Sequence, residues 1–173
     1  MPLIAAAAVL ATGAAGCGQP YDDLLGVWQV TSKTENDTVC DTEGAAVTDA
    51  APYLKFVEGE FFGQEYAQVV DCTDAVTCEE AGGLFGGLLY AEEISGGVRA
   101  TIYSASHGGD PNDCLLSGAI SDATVSGGML RIATRRRSQD NVSGTACDSD
   151  DAKDRFDSMP CTGYEVTLGV RAP

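Results

Sequence analysis

The residues of this chain best suited to chemistry are its seven cysteines, an odd number. Six of them are scattered through the sequence: Cys40, Cys72, Cys78, Cys114, Cys147 and Cys161. A zinc site would need clustered C-x2-C spacing together with histidine, and the only histidine is His107. Six scattered cysteines instead favour three disulfides, in any of 15 connectivities. The spacing therefore predicts disulfides and no metal site.

Other catalytic machinery is poorly represented. The sequence contains no G-x-S-x-G, H-E-x-x-H or P-loop pattern, and disulfide-bonded thiols cannot act as nucleophiles. His107 lies in the Gly- and Asp-rich stretch 104–113, where a solvated turn residue is the commoner role; an acid-base or metal-binding role stays open as the alternative. We therefore predict that the protein is not an enzyme, with no catalytic residue and no cofactor.

The charge of the chain limits its partners. Its net charge of −16 comes from 26 acidic and 10 basic residues, and it would repel a phosphate backbone, so we exclude nucleic acid. The densest acidic stretch, residues 148–157, lacks the register of an EF-hand loop and is typical of a solvated rim. Weak, nonspecific divalent-cation binding is the alternative. We expect Arg135-Arg136-Arg137, at the end of a strand on the same rim, to pair with the carboxylates of the acidic loops there.

The N-terminus has the pattern of an export signal. Residues 2–16 carry no charge and are too short to span a membrane. They lead into Ala14-Ala15-Gly16-Cys17, which resembles the lipobox of bacterial lipoproteins, in which the cysteine is acylated and becomes the mature N-terminus. The resemblance implies a signal peptide over 1–16, a lipidated Cys17 and a tether over 17–25. The alternative is an ordinary secretory leader followed by an incidental cysteine.

Two further observations fit a lipoprotein. Setting Cys17 aside for lipid leaves an even number of cysteines for disulfides. Gly18 follows Cys17, and the absence of aspartate there resembles lipoproteins that are sorted to the outer membrane of Gram-negative bacteria. We therefore expect a protein of the bacterial cell envelope, attached to the outer membrane through its N-terminal lipid.

The remaining chain reads as a series of β-strands separated by turn residues. We predict eight strands, over residues 26–34, 52–58, 61–70, 84–93, 98–105, 114–122, 129–138 and 164–171. Three connections are tight, around Gly59-Glu60, Ser95-Gly96-Gly97 and Ser126-Gly127-Gly128. The other four are long, over residues 35–51, 71–83, 106–113 and 139–163.

This alternation of short and long connections predicts the fold. In an up-and-down antiparallel arrangement, successive connections fall at opposite ends, so the long loops and all six remaining cysteines share one end. We predict one all-β domain over 26–173, an eight-stranded antiparallel barrel with three disulfides in its long loops; an open sandwich is the alternative. Cys147 and Cys161 flank one loop and are expected to pair, with Cys72–Cys78 and Cys40–Cys114 completing the set.

The start of the first strand carries a family resemblance. Leu25-Gly26-Val27-Trp28 resembles the G-x-W signature of lipocalins and related calycin barrels, and the layout is similar to that of Cys-rich bacterial lipoproteins. The resemblance implies that Trp28 packs across the closed end of the barrel under Arg171 from the last strand. It rests on Gly26, Trp28 and Arg171, and the chain reaches Pro173 without the C-terminal helix of lipocalins.

Alternate strand residues are expected to line the barrel interior: Trp28, Val30, Leu54, Phe56, Tyr66, Leu88, Tyr90, Ile102, Ile120, Leu130, Ile132, Val166 and Leu168. All of these except Trp28, Val30, Leu130 and Val166 are candidate ligand contacts. Small residues leave room for a pocket: Ser117, Gly118, Ala119, Ala133 and Gly169. We expect a monomeric, lipid-anchored binding protein for a small apolar or amphipathic ligand. The alternative is an envelope interaction protein with a filled barrel and acidic contact loops.

Overall fold

In the computed structural model, which describes residues 19–61, 63–82, 88–107, 113–143 and 146–173, one antiparallel sheet closes on itself. Its strands are β1 (Gly26–Asn36), β2 (Ala45–Ala46), β3 (Tyr53–Phe61), β4 (Gln64–Cys72), β5 (Leu89–Ile94), β6 (Gly97–His107), β7 (Cys114–Ser126), β8 (Met129–Gln139) and β9 (Cys161–Arg171). Pairing between β1 and β9 closes the sheet, and β2 is a short addition to β1. The predicted eight-stranded up-and-down barrel is therefore confirmed.

The predicted strands correspond to β1 and β3–β9, and the tight and long connections lie at opposite ends of the barrel. One turn is displaced: Gly59 and Glu60 do not form it but continue β3, pairing with Tyr66 and Glu65. A Cβ on Gly59 would lie 2.8 Å from the Tyr66 ring, so glycine serves here for close packing. The turn instead uses Gly63 at φ +77°, a conformation that favours glycine. Residues 84–87, in the predicted fourth strand, lie outside the described residues.

Two short helices occupy the long loops. Helix α1 (Ala75–Glu80) follows β4, and α2 (Ser149–Arg155) precedes a 3-10 turn and β9. Each begins at an aspartate whose side chain accepts backbone N–H bonds, Asp74 from Thr77 and Asp148 from the first turn of α2. Within the described part of the chain, neither helix has the length and apolar character needed to cross a membrane.

A hydrophobic core closes one end of the barrel around Trp28, which is fully buried. The indole N–H donates to the Leu24 carbonyl at 2.7 Å, and the Arg171 guanidinium carbon lies 4.0 Å from the centroid of the indole ring. The same guanidinium donates to the carbonyls of Leu25 and Asp23. The segment before β1 thus packs against the end of the barrel.

That segment differs from the expected tether. Residues 19–25 form a turn in which Tyr21 and Leu24 are almost completely buried in the core. The reason is that an up-and-down barrel leaves its core open at the hairpin end, and these two apolar side chains fill it. Cys17 and the predicted leader, residues 1–16, lie outside the described residues.

A second apolar cluster lies on the outer wall of the barrel, over β6 and β7. It contains Cys114, Leu116, Val142, Ala152, Phe156 and Met159. Helix α2 and the following 3-10 turn supply its outer layer, and Phe156 rests against Gly118, where a Cβ would lie 2.9 Å from the ring. The predicted irregular loop over 139–163 is therefore a folded cover for the wall.

The three disulfides lie at the long-loop end, as predicted, and join Cys40 to Cys161, Cys72 to Cys78 and Cys114 to Cys147. Only the Cys72–Cys78 pairing matches the expectation; the Cys147–Cys161 and Cys40–Cys114 pairings are wrong. Helix α2 folds back over the outer wall and brings Cys147 to the start of β7. Cys161 begins β9 beside β1, and the loop after β1 carries Cys40 to it.

Candidate functional site

The barrel encloses a cavity of about 270 Å³ that opens at the long-loop end. Its apolar floor belongs to the core around Trp28 or packs against it, and is made of Val30, Leu54, Val69, Leu88, Tyr90 and Ile132. These side chains point inward because successive residues of a strand face opposite sides of the sheet. The cavity therefore offers an apolar surface between the closed end and the mouth.

Four charged side chains form an ion-pair network at the mouth of this cavity, here called the mouth cluster: Lys33, Glu35, Arg136 and Glu165. The Glu165 carboxylate lies 3.2 Å from Lys33 Nζ and accepts from Arg136 Nη2 at 3.1 Å, while Arg136 Nη1 donates to Glu35 at 2.9 Å. Burial lowers the pKa of Arg136, but its hydrogen bond to Glu35 and the charge of Glu165 raise it by a larger amount, so the pKa is raised overall. Arg136 thus remains a cation.

A break in the strand alternation brings the mouth cluster inside. Trp28 pairs with Arg171, but a bulge after Val30 shifts the register of β1. Beyond the bulge, Lys33 and Glu35 pair with Thr167 and Glu165 and face the interior. The cavity is consequently apolar toward the closed end of the barrel and charged at its mouth.

A second space of about 430 Å³, the mouth groove, adjoins the cavity along the inner faces of β6, β7 and β8. It is lined by Ile102, Ser104, Leu115, Ser117, Ala119, Arg136 and Ser138, among others. Ala119 and Arg136 line both spaces. Ile102 and Leu115 are 50% and 37% exposed, which is unusual for large apolar side chains on the inner face of a barrel. The groove extends the apolar surface out of the cavity.

A chain of buried hydroxyls fixes the floor of the cavity. Tyr90 Oη lies 2.7 Å from Ser121 Oγ, which lies 2.8 Å from Thr134 Oγ1. The Tyr90 ring packs edge-on against Phe56, with 5.3 Å between the ring centroids. Burial raises the pKa of Tyr90 to about 12, against a smaller lowering by the hydrogen bond to Ser121.

This raised pKa predicts alkaline destabilisation that depends on Tyr90. Because the unfolded state ionises near pH 10 and the folded state near pH 12, the stabilisation is complete below pH 10 and is lost between those values. In urea unfolding experiments, Tyr90→Phe should lose about 1 kcal/mol at pH 7 but show a shallower decline above pH 10. In an absorbance titration at 295 nm, Tyr90→Phe should lack the tyrosine ionisation that occurs at the highest pH in the wild type. Parallel declines in both proteins would contradict the prediction.

The structure places the predicted lining residues in three groups. Leu54, Leu88, Tyr90 and Ile132 line the cavity, Phe56 lies in the core with Trp28, and Ile102 lines the mouth groove. Among the small residues, Ser117 and Ala119 line these inner surfaces, and Gly169 packs beside Leu130. Strand periodicity therefore identified nine of the thirteen expected interior residues.

The third group faces outward, which corrects the expectation for Tyr66, Ile120, Val166 and Leu168. Tyr66 covers Gly59 on the outer wall, and Ile120 packs against the cluster beneath α2. Val166 and Leu168 belong to another outer cluster, with Ala133 and Tyr164. Gly118 is likewise an outer residue. These four side chains are fully or partly buried on the outer wall, and the strand pattern does not distinguish such residues from those of the interior.

Lys33, Asp71, Arg136 and Glu165 line the cavity but were missed as site residues. The sequence does contain a signal for Glu165. If Arg171 covers Trp28 inside the barrel, then the other odd-numbered residues of β9, including Glu165, also face inward. The sequence contains no such signal for Lys33, because the inward direction of its side chain depends on the bulge in β1.

The three consecutive arginines separate according to strand alternation. Arg136 points inward, whereas Arg135 donates on the outer wall to Asp122 at 3.3 Å, and Arg137 donates to the Met159 carbonyl at 2.6 Å. Apart from a contact between Arg135 and Asp41, these partners lie on strands or the α2 cover, not in the acidic stretch 148–157. The expected pairing with the acidic rim is therefore confirmed for Glu35 and Asp41, which lie in the long connection predicted over 35–51, and not for the stretch 148–157.

The remaining candidates gain no catalytic or metal-binding geometry. His107 is exposed at the end of β6, and its neighbours 108–112 lie outside the described residues. Asp148 in the acidic stretch caps α2. Within the described ranges, no three His, Cys, Asp or Glu residues are grouped to hold a metal ion. A further groove of about 310 Å³, beside Tyr66 and Arg99, lies on the outer face of the sheet and does not reach the interior.

No family model matches this chain, and no curated protein or solved structure is significantly similar to it. The site is therefore defined by its own geometry, an apolar cavity that a network of ion pairs borders at its open end.

Proposed function

We propose that this protein is a lipocalin-like binding protein of the bacterial cell envelope, anchored by lipid at Cys17, which holds a small amphipathic molecule inside its barrel. The observation that carries the proposal is the interior cavity of about 270 Å³ with its apolar floor. A solid barrel would bury these side chains against one another. Here Val30, Val69 and Leu88 are only partly buried and border open space that continues into the mouth groove.

The size of the site supports a small ligand. Small-molecule sites typically occupy about 300–1,000 Å³ and combine apolar walls with a few polar groups. The cavity alone is slightly smaller than that range, and the adjoining mouth groove brings the space within it. A short apolar tail on the partly buried Val30, Val69 and Leu88, with a polar end at the mouth, makes use of both surfaces.

The proposed anchor orients the barrel. Cys17 precedes Gln19 by two residues, a span of about 7 Å at most, and residues 19–25 pack on the closed end. An acyl chain on Cys17 would place the membrane at that end and leave the mouth facing away from it. A ligand would then enter from the aqueous side.

A bulky substitution at Ala119 tests the cavity. Ala119 lines both the cavity and the mouth groove, so Ala119→Phe would place a ring in the passage between them. We expect the wild type to bind N-phenyl-1-naphthylamine, a neutral probe that fluoresces in apolar sites, and Ala119→Phe to bind it at least about tenfold more weakly, a change of about 1.4 kcal/mol.

Ala46→Phe is the matched control, since Ala46 is exposed on β2 away from the cavity, and it should bind the probe like the wild type. Thermal unfolding of both variants checks that the fold is kept. Equal binding by Ala119→Phe and wild type would place the probe elsewhere. No binding by the wild type would contradict the proposal and favour the envelope interaction protein with acidic contact loops.

A further inference from the structure

The charged groups around the cavity indicate the chemistry of the ligand; this step rests on the proposed function. The cavity wall carries two cations, Lys33 and Arg136, and both are already engaged with carboxylates of the mouth cluster. A carboxylate or phosphate on the ligand would have to compete with Glu35 and Glu165 for these cations. Displacing either would leave a charge without its partner, which is unfavourable in a partly buried site.

Asp71 is the exception among the charged groups of the wall. It lies near the end of β4 and pairs with Leu54 across the strands, which places it on the inner face at the mouth, where it is exposed to solvent. Within the described ranges, no cation lies within 4.0 Å of its carboxylate and no side chain donates a hydrogen bond to it. The cavity thus presents a negative charge that has no protein partner there.

The charge of the whole molecule acts in the same direction. At a net charge of −16, the protein attracts cations and repels anions from a distance, and field lines concentrate in clefts. An anionic amphiphile would be repelled on approach and would find no available cation inside. A cationic one would be attracted and would find Asp71.

We infer that the natural ligand is an amphiphile with a positively charged amine head group, held with its apolar tail on the floor and its ammonium at Asp71. The partly buried Val30, Val69 and Leu88 supply the apolar contacts for the tail. Lys33 and Arg136 remain paired to Glu35 and Glu165, so the mouth cluster as a whole carries no net charge.

Three compounds that share one tail test the inference: octylamine, octan-1-ol and octanoate. At pH 7 the amine is protonated and the carboxylate ionised. Calorimetric titration of the full, oxidised chain should give the tightest binding for octylamine, weaker binding for octan-1-ol and the weakest for octanoate. Asp71→Asn should weaken octylamine about two- to fivefold, as expected for an ion pair at an exposed carboxylate, and leave octan-1-ol unchanged. Asp140→Asn, which removes an exposed carboxylate just after β8, should change neither.

The outcomes separate this inference from the proposed function. Octanoate binding as tightly as octylamine, or octylamine binding that is unaffected by Asp71→Asn, would overturn the cationic head group while the cavity remained a binding site. Failure of all three compounds to bind would overturn the proposed function and this inference together.

Discussion

Replacing Cys40 and Cys161 together by serine should lower the free energy of unfolding by about 5 kcal/mol, the largest loss among the three disulfides. This disulfide joins residues 121 apart, compared with 33 for Cys114–Cys147 and 6 for Cys72–Cys78. On the chain-entropy model, the shorter loops correspond to about 4 and about 2 kcal/mol. The three double variants should therefore rank by loop length in urea unfolding.

The position of the Cys40–Cys161 disulfide adds a second effect. It lies beside the β1–β9 seam that closes the barrel, and Cys40 Sγ is 3.8 Å from the backbone oxygens of Arg136 and Gly163. Its removal should therefore also weaken ligand binding at the mouth. Peptide mapping provides the independent check, and detection of a Cys147–Cys161 bridge would contradict the connectivity.

The Trp28→Ala variant should lose about 3–5 kcal/mol of stability, the usual cost of removing a large buried aromatic side chain. Trp28 is 0% exposed, its indole donates to the Leu24 carbonyl, and Arg171 lies across its ring. The variant leaves a void where the segment before β1 meets the core. We expect the midpoint of thermal unfolding, followed by far-UV circular dichroism, to fall by on the order of 10 °C.

Met129→Ala is the control for Trp28→Ala. Met129 begins β8 near the same end of the barrel but is 51% exposed, so its truncation should change stability by less than about 0.5 kcal/mol. Arg171→Ala should fall between the two, because it removes the cation over the indole and its bonds to two carbonyls but creates no internal void. A Trp28→Ala variant as stable as Met129→Ala would mean that this end does not depend on the indole.

The strands and their layout were predictable because they depend on local rules. Alternating apolar residues indicate strands, glycine-rich pairs indicate hairpins, and the alternation of short and long connections orders them around a barrel. The same layout placed the cysteines at one end. The two short helices were not foreseen, since Ala75–Glu80 and Ser149–Arg155 are too short to show a helical period.

The candidate site was predictable only in part. Periodicity identified Leu54, Tyr90 and Ile132 on the cavity floor, but it assigned Leu168 to the interior and overlooked Arg136. An apolar residue on a strand indicates burial and not the side of the sheet on which burial occurs. Where the outer wall is covered, as beneath α2, the hydrophobic pattern is the same on both faces.

The sequence by itself determined that this chain is a cysteine-rich β-barrel with Trp28 opposite Arg171, because strand period, turn residues and composition act over short distances. Only the tertiary structure decided the disulfide partners, the inward turn of Lys33 and Glu35, and the carboxylate of Asp71 without a partner in the described part of the chain. These depend on a single bulge in β1 and on the path of the loop that carries α2. Neither changes the local pattern of residues, yet each determines which side chains meet across the barrel.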